Sequence, residues 1–292
     1  MIKNYIKLLR IPQWIKNFFV FVPLLFSKNL FNQTYFLTVI AGFLLFSLAS
    51  SAVYILNDVL DAEADRLHPR KKSRPVASLA VSKSSAVTFF IILTAALLFL
   101  LSFFDIKFAV AVVVYILLNI FYSAVLKKIV LLDIFSIAAG FMIRVVSGAY
   151  IINVEISSWL ILTTMFVSLF LAIMKRGSEL RLMQNDERSE TRRVLADYSV
   201  DFTNQMATVA ASGVIICYAL YSVSARTVSI FGTENLIYTT PFVVFGIFRY
   251  MYLVYMSEKG ENTTEIMITD IAMIVNVLLY ILTTILIVYK IV

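Results

Sequence analysis

Long apolar runs separated by shorter polar stretches dominate the chain. A helix needs about 20 apolar residues to cross the hydrocarbon core of a bilayer. By this criterion the pattern predicts nine spans, at residues 15–27, 35–57, 84–104, 107–126, 129–152, 157–176, 206–228, 237–257 and 269–291. The first span is short and follows Pro12, so we expect it to be tilted or partly interfacial. The pattern therefore predicts an all-α polytopic membrane protein with one domain over residues 1–292.

The composition supports this prediction. Hydrophobic residues make up 61% of the chain and charged residues 15%, whereas an average soluble domain has about 25% charged residues. A soluble fold of this length has too little interior to bury so many apolar side chains, so membrane lipids are expected partners. Cys217 is the single cysteine, which excludes a disulfide framework and a cysteine-based metal site.

The distribution of Lys and Arg predicts the orientation. Nine spans with a cytoplasmic N-terminus place most basic residues in cytoplasmic connections, and the opposite connections carry only Lys28, Lys107, Arg226 and Lys290. Two long polar loops, about 58–83 and 177–205, then face the cytoplasm. The net charge of +7 suits contact with anionic headgroups or with phosphates. We expect a protein of the bacterial cytoplasmic membrane and no nucleic-acid partner.

The first long loop opens with an acidic run. If the second span continues as a helix, Asp58, Asp61 and Asp65 share one face, with Asn57 beside them. Three carboxylates repel each other unless a cation offsets their charge, and oxygen ligands of this kind suit Mg²⁺. Basic residues follow at once: Arg66, Arg70, Lys71, Lys72 and Arg74. Carboxylates for a metal beside cations for phosphate oxygens predict a diphosphate site, although a solvated helix end with mixed charges is the plainer alternative.

The motif Asn57-Asp58-x-x-Asp61-x-x-x-Asp65, followed by a basic stretch that ends in Arg74-Pro75, resembles the first signature of the UbiA superfamily of intramembrane prenyltransferases. The resemblance extends over nearly the whole chain. It implies a bundle of nine transmembrane helices with a central cavity open to the cytoplasmic side. It also implies that Asn57 and the three aspartates bind Mg²⁺ at a substrate diphosphate, with the aspartates as the catalytic residues.

The second long loop departs from the common pattern of that superfamily. Aromatic prenyltransferases have a second Asp-rich motif there, whereas this chain has Lys175, Arg176 and Glu179. With Arg10–Asn17 near the start, Tyr122 to Lys127 at the end of the fourth span and Asp133 after it, this resembles a phosphoribosyl-transferring branch. That branch implies Mg²⁺-dependent transfer of a 5-phosphoribosyl group from phosphoribosyl pyrophosphate to a polyprenyl phosphate, with release of pyrophosphate, in cell wall biogenesis.

The resemblance also implies a set of residues that bind the donor or the acceptor. They are Lys16, Asn17, Asn57, Arg70, Lys71, Arg74, Tyr122, Lys127, Arg144, Lys175, Arg176 and Glu179. Some of these have simpler explanations. Tyr122 suits an interfacial aromatic belt, and the lysines suit the excess of positive charge in cytoplasmic loops that sets membrane orientation. Arg144 lies at membrane depth, where a charge usually faces a bundle interior or a wet cavity. Arg249 is as easily explained by snorkelling to the interface.

Two other functions stay open at this point. A prenyltransferase of the same superfamily would move a polyprenyl group from its diphosphate to an aromatic acceptor. It would need paired aspartates in the second loop, where Asp186 and Asp197 are poorly placed. A transporter or channel with a charged cytoplasmic vestibule would need buried charges in several spans, and only Arg144 and Arg249 qualify. The polyprenyl length and the oligomeric state, including a homo-oligomer, also stay open.

Overall fold

The structure, a computed structural model, describes residues 2–67, 71–185, 195, 197–256 and 269–290. Within these residues all regular structure is helical. Eight helices are long and apolar enough to cross a membrane: Gln33–Leu60, Lys83–Leu101, Ile106–Ala124, Leu132–Ile151, Ser158–Arg181, Val200–Val223, Asn235–Met256 and Ile271–Tyr289. A shorter apolar helix covers Ile11–Phe26 and accounts for the first predicted span. The prediction of an all-α polytopic membrane protein is therefore confirmed.

Twelve α-helices are numbered here in chain order within the described residues. They are α1 Ile2–Leu8, α2 Val22–Phe26, α3 Gln33–Leu60, α4 Ala62–Leu67, α5 Lys83–Leu101, α6 Ile106–Ala124, α7 Leu132–Ile151, α8 Ser158–Asn185, α9 Val200–Val223, α10 Ala225–Phe231, α11 Thr240–Met256 and α12 Ile271–Tyr289. A 3₁₀ helix over Ile11–Phe21 precedes α2, and Pro12 stands in its first turn.

Polar side chains fix the N-terminal ends of several long helices. Each accepts a backbone N–H from the first turn, which satisfies a donor that would otherwise lack a partner. The capping residues are Asn32 for α3, Ser82 for α5, Asp105 for α6, Ser199 for α9 and Asp270 for α12. The cap at Asp105 lies in the short connection between α5 and α6.

The chain forms two compact units, each with its own core. Unit 1 comprises Met1–Leu24, Asn32–Lys127 and Ile143–Val154. Unit 2 comprises Leu25–Phe31, Lys128–Met142 and Glu155–Val292. The expectation of one domain over residues 1–292 stays a prediction.

In unit 1, helix α3 is the central element, and it packs against α5, α6 and the 3₁₀ helix. One cluster of its core consists of Leu8, Ile55, Ala62, Val76, Val81 and Ala86, and it lies under the acidic run. These residues come from α1, the end of α3, α4, the segment before α5 and the first turn of α5. Apolar packing around that run therefore places its aspartates on a fixed backbone.

In unit 2, helices α8 and α9 pack along each other, and α11 packs against both of them and against α12. Phe170 and Tyr250 meet edge to face in this core, with ring centroids 5.6 Å apart. Arg249 forms an ion pair with Asp270, with Nη2 2.8 Å from Oδ2. This pair links α11 to the start of α12. It accounts for the charge of Arg249, for which the sequence also allowed snorkelling to the interface.

Candidate active site

The acidic run lies where α3 ends and α4 begins. Asp58 is in the last turn of α3, Asp61 caps that helix and Asp65 is in α4. The Asp65 backbone N–H donates to the Asp61 carbonyl at 2.8 Å, so the chain stays helical across the junction. The side chains of Asp58 and Asp65 are buried and that of Asp61 is partly exposed. The predicted continuation of the helix is therefore present, with a short break at Asp61.

Each of the three aspartates contacts a basic side chain within unit 1. Arg10 Nη2 donates to Asp58 Oδ1. Arg74 Nη1 lies 2.5 Å from Asp65 Oδ2 and 3.4 Å from Asp58 Oδ1, and Lys127 Nζ lies 2.7 Å from Asp61 Oδ1. These six residues form what we call the unit 1 acid network. Its three carboxylates and three cations balance in charge.

Two further contacts complete the surroundings of the network. The Ser123 hydroxyl donates to Asn57 Oδ1, which links the end of α6 to the end of α3. Lys71 opens a short 3₁₀ turn, and its carbonyl accepts the Arg74 backbone N–H at 2.9 Å. Lys71 and Tyr122 are half-buried. Arg70 lies outside the residues that the structure describes.

The donor atoms of this network suit a hard divalent cation. Asp58 Oδ2 is buried and has no hydrogen-bond partner in the described part of the chain, which is costly for a carboxylate oxygen. Carboxylate and amide oxygens are ligands that Mg²⁺ accepts. In the same part of the chain, no three His, Cys, Asp or Glu side chains converge as a metal cluster. The aspartates are held by the basic side chains instead.

A second polar group in unit 1 surrounds Arg144. Its Nε donates to Asn17 Oδ1 at 2.8 Å and its Nη2 to the Tyr115 hydroxyl at 2.9 Å. Its guanidinium carbon lies 5.5 Å from the ring centre of Phe46 and 4.7 Å from that of Tyr115. Lys16 lies close enough to Arg144 and Arg10 to be repelled by both. Three cations therefore bring positive charge to a largely buried polar region.

Small residues make room for this group. Asn17 Nδ2 donates to the hydroxyls of Ser47 and Ser50 at 3.0 and 3.1 Å. A Cβ atom on Gly148 would lie 2.1 Å from the Val20 carbonyl oxygen. The glycine therefore lets α7 approach the backbone of the 3₁₀ helix.

The predicted residues of the second loop belong to a different network, in unit 2. Arg176 Nε donates to Asp133 Oδ2 at 2.8 Å, and its Nη1 donates to Glu179. The Tyr198 hydroxyl donates to Asp133 Oδ1 at 2.7 Å and accepts the Leu131 N–H at 2.7 Å. We call Asp133, Arg176, Glu179 and Tyr198 the unit 2 acid network.

The interior of this second network is deeply buried, while Glu179 is 25% exposed. Arg176 is 1% exposed and Asp133 is fully buried. Burial raises the pKa of Tyr198 well above its ordinary value, and its hydrogen bond to Asp133 acts in the same direction. Lys175 lies at the edge of the network, 4.0 Å from Glu179. Arg176 was predicted to bind substrate, and the structure places it between two carboxylates.

Several residues of these networks are absent from the site predicted by sequence. Arg10 and Asp133 stand in the stretches that carry the family resemblance, but nothing in the sequence pairs them with Asp58 and Arg176. Tyr115, Ser123 and Tyr198 give no signal, because single hydroxyl residues in or beside apolar helices are common.

Comparisons with known proteins agree with this architecture. Residues 18–286 match the model of the UbiA prenyltransferase family. The chain is 32% identical to decaprenyl-phosphate phosphoribosyltransferase of Mycolicibacterium smegmatis, over 77% of this chain and 71% of that protein. It is 30% identical to the enzyme of the same name from Mycobacterium tuberculosis, over 89% and 86%.

Solved structures show the same fold. A UbiA homologue from Archaeoglobus fulgidus, bound to GPP and Mg²⁺, matches with a TM-score of 0.73 and 16% identity, over 98% of this chain and 99% of that one. The family model covers most of the chain, and the named relatives are transferases. This chain is therefore an integral membrane transferase that belongs to the UbiA prenyltransferase family.

Proposed function

We propose that this transferase moves a 5-phosphoribosyl group from phosphoribosyl pyrophosphate to a polyprenyl phosphate and releases pyrophosphate. Two features support the proposal together: the unit 1 acid network and the relatives named decaprenyl-phosphate phosphoribosyltransferase. The observation that carries it is the buried Asp58 oxygen without a partner inside a charge-balanced set of carboxylates and cations. We further propose that the reaction occurs at the cytoplasmic side of a bacterial cytoplasmic membrane and serves cell wall biogenesis.

In this proposal Asp58, Asp61, Asp65 and Asn57 hold Mg²⁺ at the donor diphosphate. The ion would supply charge stabilisation for the pyrophosphate as it leaves. Asp58 offers its buried oxygen for this purpose. All three aspartates would exchange a basic partner for the metal.

The basic side chains released by this exchange bind the phosphate oxygens. Arg74 and Lys127 already lie at the carboxylates, so they would stand beside a diphosphate bound there. Arg70 and Lys71 would add charge from the same loop. Guanidinium groups suit this role because their N–H groups match phosphate oxygens in pairs.

The remaining predicted residues would bind the other anionic groups. Lys16, Asn17 and Arg144 form a buried cationic region suited to a phosphate monoester, with Tyr122 near the membrane interface. In unit 2 the predicted residues are Lys175, Arg176 and Glu179. Lys175 is exposed enough to meet a substrate phosphate, while Arg176 orders the network behind it. The acceptor phosphate is already an anion, so no strong general base is required. Direct displacement would invert the configuration at the anomeric carbon of the ribose.

The test is transfer of label in membranes that contain the protein. Labelled phosphoribosyl pyrophosphate, Mg²⁺ and a polyprenyl phosphate should give a labelled lipid, and chelation of the metal should prevent its formation. Asp61→Ala should abolish the product, whereas Lys83→Gln, which removes an exposed ion pair with Glu63, should retain it. Absence of the lipid in the wild type, with transfer of a polyprenyl group from its diphosphate to an aromatic acceptor, would overturn the proposal.

A further inference from the structure

Arg10 adopts a backbone conformation that non-glycine residues rarely use. It follows α1 with φ 49° and ψ 46°, in the left-handed region. Such a conformation is unfavourable for a residue with a Cβ atom and persists only where the surroundings impose it. Because Arg10 also belongs to a network of charged groups, its backbone conformation suggests a functional role.

Helix α3 imposes this position. Ser51, Tyr54 and Asp58 lie three and four residues apart, so they share one face of the helix. The Ser51 hydroxyl accepts the Trp14 indole N–H at 3.0 Å and donates to the Leu9 carbonyl at 2.7 Å. These bonds hold the chain on both sides of Arg10 against α3. The Arg10 guanidinium lies 5.0 Å from the ring centre of Tyr54 and reaches Asp58.

In the part of the chain that the structure describes, only one of the two carboxylate oxygens of Asp58 is paired. Oδ1 accepts from Arg10 and lies near Arg74, while the buried Oδ2 has no partner in the described residues. A carboxylate that binds a cation through one oxygen and buries the other without a hydrogen bond is incompletely satisfied. The side chain of Arg10 is 22% exposed, so it has room to turn away.

The charge balance of the unit 1 acid network indicates which ligands it can bind. Three carboxylates and the cations Arg10, Arg74 and Lys127 sum to zero. A divalent cation alone would add two positive charges to a neutral group. A diphosphate that enters with the cation removes this excess and gives the displaced basic side chains a new anion to bind.

We propose that Arg10 is a diphosphate-binding residue whose guanidinium, in the ligand-free protein, occupies at Asp58 the place of a divalent cation. When the diphosphate binds with its cation, Arg10 leaves the Asp58 oxygen and donates to the phosphate oxygens. Arg10 thus opposes the metal alone and favours the metal together with diphosphate. The proposal rests on the proposed function only in taking the donor to be a diphosphate.

This role predicts shifts of opposite sign in two binding measurements on the purified full-length protein. Mn²⁺ serves as the probe, because its free concentration can be read by electron paramagnetic resonance. Arg10→Asn removes the cation and suits a left-handed backbone. It should bind Mn²⁺ alone several-fold more tightly than the wild type. With Mn²⁺ present, it should bind inorganic pyrophosphate about tenfold more weakly, since a charged hydrogen bond is lost.

Two variants make the test specific. Arg10→Lys keeps the charge and should restore most of the pyrophosphate affinity. Lys83→Gln removes an exposed ion pair of the same unit and should change neither measurement. A merely structural role for Arg10 would weaken both affinities in Arg10→Asn and lower its unfolding temperature. Weakening of both, or no change in either, would overturn the proposal, as would a wild type that binds no Mn²⁺ under either condition.

The result separates this proposal from the proposed function. Opposite shifts at Arg10, together with no labelled lipid from phosphoribosyl pyrophosphate, would retain a diphosphate site and reject the phosphoribosyl reaction. A labelled lipid without the opposite shifts would retain the reaction and reject the role of Arg10.

Discussion

The two acid networks differ in how completely their charged groups are enclosed. In unit 1, the side chains of Arg10, Arg74 and Lys127 are 22%, 27% and 18% exposed, and one oxygen of Asp58 has no partner in the described residues. In unit 2, Arg176 is 1% exposed, and Asp133 binds Arg176 through one oxygen and Tyr198 through the other. The first network can exchange partners, whereas breaking the Asp133–Arg176 pair of the second would leave a buried charge unpaired.

From this difference we propose that the unit 1 network binds substrate and that the interior of the unit 2 network supports the fold. Breaking a buried pair is costly because the remaining charge has no solvent to replace its partner. Ion pairs with partly exposed cations exchange partners at a lower cost in free energy, because water can solvate the released cation. We therefore expect substitutions in unit 1 to act on catalysis and those in the interior of the unit 2 network to act on stability.

The largest effect is expected at Asp58. Asp58→Asn keeps the size of the side chain and removes the charge that a metal requires. The rate of transfer should fall about a thousandfold, which is about 4 kcal/mol of transition-state stabilisation. Labelled-lipid formation measures the rate, and the unfolding temperature should stay close to that of the wild type. Full activity of this variant in Mg²⁺ would contradict the proposal that the unit 1 acid network binds the metal.

Asp133→Asn should act mainly on stability. Loss of the Asp133 charge leaves Arg176 buried beside a neutral amide, so the free energy of unfolding should fall by about 3 kcal/mol. Thermal unfolding of the purified protein measures this change. Asp270→Asn is the matched control, since it removes another Arg–Asp pair of unit 2 whose arginine, at 31% exposed, keeps access to solvent. If the free energy of unfolding falls by an equally small amount in both variants, burial does not distinguish the networks.

Tyr198→Phe should give a smaller loss. The hydroxyl donates to Asp133 and accepts from Leu131, so its removal should cost about 1–2 kcal/mol. The transfer rate should change by no more than about twofold, which is within about 0.4 kcal/mol. A large fall in rate with unchanged stability would place Tyr198 at the substrate and contradict the separation of roles.

The smallest effect concerns pH. The pKa of Tyr198 is raised in the folded protein, so its contribution to stability is fully present below the pKa of an exposed tyrosine, about 10. It is lost as the pH rises from there through the higher folded value. The unfolding temperature of the wild type should therefore fall more steeply above pH 10 than that of Tyr198→Phe. Parallel curves would show that folding does not raise the pKa of Tyr198.

The membrane architecture follows from the sequence because a bilayer imposes one strong requirement on composition. Apolar runs of sufficient length predicted each of the long helices, with ends displaced by up to nine residues. The 3₁₀ form of Ile11–Phe21 was not predicted, since a short apolar run after Pro12 is equally consistent with an α-helix. Nor did hydropathy indicate the two compact units, because all spans are similarly apolar.

The candidate site is predictable only where its residues are close in sequence. Asp58, Asp61 and Asp65 have helical spacing, so their common position could be inferred from the chain alone. Arg10 is 48 positions from Asp58, and Asp133 is 43 positions from Arg176. Such pairs form through tertiary packing, which the hydrophobic pattern does not specify. The charge of Arg176 was visible in the sequence, but its burial between two carboxylates was not.

Metal binding by Asp58→Asn and Asp133→Asn tests the central claim most directly. Mn²⁺ affinity is measured for both variants and the wild type in the presence of pyrophosphate. We expect Asp58→Asn to bind Mn²⁺ at least tenfold more weakly, while Asp133→Asn, once folded, stays within about twofold of the wild type. Equal loss in both variants, or loss confined to Asp133→Asn, would contradict the assignment of the metal and diphosphate site to unit 1.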